Sequence, residues 1–140
     1  MDSLWTPNEA QNFTTDLDLR VLTSRLLGRE EQLVLHGGGN TSVKIRETDF
    51  FGNEVDVLYV KGSGWDLETI EAAGFAPVRM DALLAMAKID DRSDPDMVKH
   101  QRAAMLDPEA PNPSVEAILH AIIPHKYVDH THSNLSLIHI

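Results

Sequence analysis

Cysteine is absent from the 140-residue sequence, which excludes a disulfide framework, a thiolate metal site and a cysteine nucleophile. Basic residues are also scarce, 12 Lys and Arg against 22 Asp and Glu. They form no cluster, and the formal net charge of -10 argues against a nucleic-acid partner, which needs a basic patch. No apolar run approaches the ~20 residues needed to span a bilayer. The start, Met1 to Pro7, has neither the basic nor the apolar region of a secretory signal. Together these absences predict a cytoplasmic protein with no membrane partner. No internal repeat or low-complexity segment is present. What remains, 42% hydrophobic and 24% charged residues over 140 positions, suits one domain with one core.

The local patterns mix helix and strand. Leu17, Val21, Leu22 and Leu26 recur at helical spacing up to Gly28, and so predict an amphipathic helix. Gln32 to His36, Thr41 to Arg46 and Val55 to Lys61 read as strands, the last two joined by a turn at Phe51-Gly-Asn-Glu. A β-meander is the natural result. Asp66 is placed to cap a helical turn at Leu67 to Ile70. Pro77 to Arg79 suggests a short strand. Asp81 is placed to cap a helix carrying Leu83, Leu84, Met86 and Ala87, and Asp94-Pro95 to open another that runs through Met105. The prolines of 107–113 enforce an extended loop. Ser114 then reads as the N-cap of a helix burying Val115, Ile118, Leu119 and Ile122. Pro124 ends it, and Tyr127 to Thr131 forms a strand. Strands early and helices late predict an α+β or layered α/β domain.

Four segments carry chemistry. His130 and His132, two apart on a strand, point to the same face and offer two imidazoles to one cation. Zinc suits them first, with iron, copper or nickel also compatible. A catalytic zinc normally takes three protein ligands, so these two are incomplete by themselves. Glu116 lies on the preceding helical segment, and the turn 124–126 can return it over the pair, where a buried carboxylate could shuttle protons. His120, four residues after Glu116, reads as a packing or hydrogen-bonding residue or as the helical partner of Glu116. Gly37-Gly-Gly-Asn-Thr-Ser42 and Lys61-Gly-Ser-Gly64 each put glycine amides and polar side chains at a strand end. That composition suits an anion, although either loop alone is more often a turn. Neither matches a Walker A loop or a dinucleotide fingerprint.

Gly-Gly-Gly-Asn-Thr-Ser, Lys-Gly-Ser-Gly, Pro113-Ser-Val-Glu-x3-His120 and His130-Thr-His132, in that order, resemble the class II aldolase/adducin family. Val60 to Leu67 with Ala73 to Val78 looks most like the aldolase half of bifunctional rhamnulose-1-phosphate aldolase/short-chain dehydrogenase proteins. The resemblance implies a three-layer α/β/α fold around a mainly antiparallel sheet, assembled as a homotetramer. It implies Zn2+ held by His130, His132 and a third His, with Glu116 as the catalytic proton-transfer group. It implies substrate phosphate held by Asn40, Ser63, Gly64 and Ser114. Val115 stands where several members carry a second serine. The implied reaction is cleavage of a ketose 1-phosphate to dihydroxyacetone phosphate and an aldehyde. A pentulose-phosphate 4-epimerase, a dehydratase and a metal-free adducin-like interaction module are the alternatives.

The third ligand has no obvious source here. His139 lies seven residues beyond His132, and a strand rise of ~3.3 Å per residue puts it ~23 Å away. The family-like domain is accordingly expected over 1–134, incomplete at its C-terminus, with 135–140 a non-native tail.

Overall fold

A computed structural model describes residues 15–30, 34, 39–89, 94–114 and 116–131. Helix α1 (Asp16–Gly28) starts where the Thr15 hydroxyl accepts the Asp18 amide at 3.0 Å. Asp16 and Asp18 in its first turn and Arg25 in its last suit the helix dipole. Strands β1 (Asn40–Thr48) and β2 (Glu54–Lys61) form a hairpin. Its turn is closed by Asp49, whose carboxylate accepts the Phe51 and Asn53 amides at 2.9 Å each. Two 3-10 turns, Leu67–Thr69 and Ala72–Gly74, lead into β3 (Phe75–Arg79). Helices α2 (Met80–Met86), α3 (Asp94–Ala103) and α4 (Ala117–Ile122) follow, and β4 (Tyr127–His130) comes last.

The sheet order is β3-β2-β1-β4, with every pairing antiparallel. Ser42 lies opposite Val60 and Val128, and Val43 opposite Tyr59 and Tyr127. Alternation along the strands therefore sorts the side chains into two faces. Leu58, Val60 and Val78 pack with Leu83, Ala104, Ala117 and Ala121 under α2, α3 and α4. On the other face Tyr59 and Phe75 join Val21, Ile70, Leu17 and Trp65 beneath α1 and the 3-10 turns. The three layers and the antiparallel sheet expected from the sequence are present. Of the expected meander the hairpin of β1 and β2 is present, and β3 continues it on the far side of β2. The strand expected at Gln32 to His36 lies outside the described residues except for Val34. That residue is buried, and its amide bonds the Glu30 carbonyl at 3.0 Å in a helix-like step.

Several helix details differ. Asp66 precedes its 3-10 turn without a side-chain cap, its carbonyl taking the Thr69 amide at 3.2 Å instead. Helix α2 begins at Met80, with Asp81 inside its first turn. Helix α3 ends at Ala103, and Met105 forms a bridge with Val78. The largest correction concerns α4. Its buried residues are Ala117, His120 and Ala121, and Ile118 is half-buried and packs against the core as expected, whereas Leu119 is 48% and Ile122 50% exposed. Val115 lies outside the described residues. Apolar spacing misleads here because the strand beneath α4 presents polar side chains, so small residues and a histidine face inward.

This inversion has a measurable consequence. Leu58→Ala, at a fully buried position, is expected to cost about 2–5 kcal/mol, and Leu119→Ala within about 1 kcal/mol. Urea unfolding of both variants checks this; equal losses would restore Leu119 to the core.

Candidate active site

The site forms at one end of the sheet, where β1 begins and β2 and β4 end. In the β1–β4 pairing Asn40 stands opposite His130. Its parity places Asn40 on the face covered by α4, together with Ser42 and Lys44. Each of the three grips that helix. The Asn40 amide nitrogen donates to Glu116 Oε2 at 3.4 Å. Ser42 Oγ and His120 Nδ1 are hydrogen-bonded at 2.6 Å. Lys44 Nζ donates to the carbonyls of Ile123 and His125, just past the helix. The match is geometric: two strand residues advance ~6.6 Å and four helical residues ~6 Å.

Glu116 immediately precedes α4. Its amide donates to Ser114 Oγ at 3.2 Å, and its carbonyl accepts the His120 amide at 3.1 Å. Ser114 thus supports the helix start as its sequence position suggests, although Glu116 occupies the geometric cap. The Glu116 carboxylate meets His130 Nδ1 in a direct hydrogen bond, both side chains about one-third exposed. The return of the carboxylate over the strand histidine, expected from the turn at 124–126, is therefore present. His132 lies outside the described residues.

The Lys61-Gly-Ser-Gly64 loop is held against the proline-rich segment. Gly62 bridges to Pro113, Ser63 donates its amide to Asn112 at 2.9 Å, and Lys61 accepts from the Ser114 amide at 3.1 Å. Ser63 and Ser114 are thereby joined to the same sheet end as Glu116. The amides of Gly62 and Ser63, expected to be available to an anion, instead donate to Gly74 and Asn112. With those two amides engaged, the loop's one hydroxyl is that of Ser63. Burial lowers the Lys61 pKa, with Asp66 opposing that shift. Gly64 has φ +86, and a β-carbon there would meet nothing within 4 Å among the described residues. Of the triple-glycine run only Gly39 is described. Its φ is +82, and an added β-carbon would sit 3.2 Å from the His130 carbonyl, so glycine lets β1 begin directly against the end of β4.

An imidazole and a carboxylate in contact form a nitrogen–oxygen donor set that zinc accepts. A carboxylate on Nδ1 is also how metal-binding imidazoles are oriented. The residues fit part of such a centre. Among the described residues no group of three or more His, Cys, Asp or Glu could hold a metal ion. His100 and His125, which carry no spacing signal, are exposed.

The sequence reading missed Ser42 as the partner of His120. The signal was its position two residues beyond Asn40, on the same strand face. His120 itself is fully buried and hydrogen-bonded, in keeping with its structural reading.

The family model described as "Class II Aldolase and Adducin N-terminal domain" matches residues 19–138. The chain belongs to the class II aldolase/adducin family. Two similar proteins accompany this match. A solved structure of the N-terminal class II aldolase domain of a conserved protein from Thermoplasma acidophilum superposes with a TM-score of 0.90 at 45% identity. It covers 100% of this chain, which spans 65% of that one. The uncharacterized oxidoreductase YuxG of Bacillus subtilis (strain 168) is 40% identical over 129 residues, 92% of this chain but 19% of YuxG. Among the described residues no helix is long and apolar enough to cross a membrane.

Burial drives the His120 pKa down from 6.5 to about 4, with the Glu116 charge opposing. The unfolded chain therefore binds more protons between those values. The stability from neutral His120 is complete above about pH 6.5 and is lost as pH falls toward 4. Urea midpoints at pH 5 and 7.5 should differ, and His120→Asn should flatten that slope by an amount on the order of 2 kcal/mol. An unchanged slope in His120→Asn would place the proton elsewhere.

Proposed function

We propose that this chain is the site-bearing part of a zinc-dependent aldolase. It would cleave a ketose 1-phosphate resembling rhamnulose 1-phosphate into dihydroxyacetone phosphate and an aldehyde. The observation that carries the reading is the meeting of the Glu116 carboxylate with Asn40 and His130, at the sheet end to which Ser63 and Ser114 are joined. The chain spans only part of the relatives it matches, so the activity proposed is that of the whole protein.

In this reading His130 and His132, with a third ligand from elsewhere, hold the zinc ion. The metal supplies a Lewis acid that polarises the substrate carbonyl. Glu116 Oε2 moves the proton. It removes one from the hydroxyl-bearing carbon of dihydroxyacetone phosphate in the synthetic direction and returns it in cleavage. Asn40 holds that carboxylate in place and, with Ser63, Gly64 and Ser114, receives the phosphate. Binding this remote charged group orients the reacting carbons. The exposure of Ser63 and Gly64 supports entry of a phosphate there.

The decisive test uses the whole protein loaded with zinc. Glu116→Gln should keep its metal and lower the exchange of the dihydroxyacetone phosphate proton with solvent by about 100-fold or more. His130→Ala should lose zinc and aldol cleavage together. Full exchange in Glu116→Gln, or stoichiometric zinc in His130→Ala, would overturn the respective assignment.

A further inference from the structure

The pair Ser42–His120 is fully buried, and it is the central rung of the three that tie α4 to β1. We propose that His120, through Ser42, is a positioning residue that aims the Glu116 carboxylate at its reaction partner. The inference rests on the reading of Glu116 as the proton-transfer group.

The hydrogen bonds close a ring. The Glu116 carbonyl accepts the His120 amide, and the His120 ring bonds Ser42. Two residues back along the same strand face, Asn40 meets the Glu116 carboxylate. Backbone and side chain of Glu116 are thus referred to one rigid strand from two points. Helix α4 cannot supply this precision by packing. It has 6 residues, its fully buried apolar side chains are the small Ala117 and Ala121, Ile118 is only half-buried against the core, and Leu119 and Ile122 are half exposed. Filling space does not account for a histidine at this position either. Both it and Ser42 are fully buried, and among the described residues His120 Nε2 has no hydrogen-bond partner. An apolar side chain of similar volume would fill the same space without an unpaired ring nitrogen. Nδ1, by contrast, is matched to Ser42 at 2.6 Å.

The test compares Ser42→Ala, His120→Phe and His120→Asn in the zinc-loaded whole protein; asparagine keeps a hydrogen-bonding atom near the place of Nδ1. A misaimed carboxylate should lower kcat for proton exchange by about 10- to 100-fold in Ser42→Ala and His120→Phe, because sub-ångström displacement of a reacting group is costly. KM for dihydroxyacetone phosphate should hold, and His120→Asn should recover most of the rate. Neither loss should appear on top of Glu116→Gln. A folded Ser42→Ala with full kcat, or equal losses in the Asn and Phe variants, would overturn the proposal. A parent protein without proton exchange would sink the aldolase reading itself. The positioning claim then rests on crystal structures of the same variants. The Glu116 carboxylate should leave Asn40 and His130 in Ser42→Ala and stay in His120→Asn; an unmoved carboxylate in Ser42→Ala overturns it.

Discussion

The polar face of β1 is the constraint on which the site depends. Asn40, Ser42 and Lys44 occupy alternate positions, and each takes a partner on or just beyond α4. A strand step of two residues and a helix step of four are nearly equal in length, so the two elements can run in the same direction with their polar groups in register. Such a ladder is demanding, because a buried polar group without its partner is more costly than an apolar one. Its advantage is directional. Hydrophobic packing fixes a short helix loosely in rotation and translation, whereas three hydrogen-bonded rungs fix both. Lys44 completes the arrangement at the carbonyl end of α4, where a cation is favoured, even though burial lowers its pKa.

Antiparallel pairing supplies the remaining coordinates. Because β4 runs back along β1, the end of one strand lies beside the start of the other, and His130 faces Asn40. A one-residue slip in this register would turn His130 to the α1 face and put Asp129 over α4. What resists such a slip lies on the opposite side of the same strand. Arg20, 2% exposed, pairs with Asp129 at 2.7 Å and donates to the Ser42 carbonyl at 3.4 Å. Burial pulls the Arg20 pKa down while Asp129 pulls it back up, so loss of the partner would leave a buried charge uncompensated. The Asp16–Lys126 pair at 2.6 Å is half exposed and adds less.

Much of this was legible in the residues. The alternation of Val43 and Ile45 with Ser42 and Lys44 marks β1, and the hairpin turn before β2 follows from the Phe51-Gly-Asn-Glu composition. The order of four short motifs pointed to the fold and to Glu116 and His130 together, because the spacing from 116 to 130 allows one helix, one turn and one strand. The inward face of α4 was not legible. Periodicity assigns apolar residues to the interior by default, and only knowledge of the partner strand shows that the interior is polar at this point. The amides of Gly62 and Ser63 illustrate the same limit. Glycine in a loop signals close backbone approach but not what approaches, and here it is Pro111 and Asn112.

These features place the rigid and the open parts of the site differently. Glu116 and His130 are fixed through strands whose two faces are both engaged, β1 by Ser24 on Thr41 and by α4 on Ser42, β4 by Arg20 on Asp129. The Ser63–Gly64 tip is exposed. Proton transfer tolerates little displacement, whereas a phosphate can be received by a loop that leaves room for it. In the proposed reaction the sheet therefore carries the groups that must be aimed, and the loop between β2 and the 3-10 turns carries the group that must admit a ligand. The gradient from buried ladder to exposed loop follows from strand parity, since positions that alternate inward along β1 and β4 meet helices on both sides, whereas Ser63 and Gly64, past the end of β2, stand exposed.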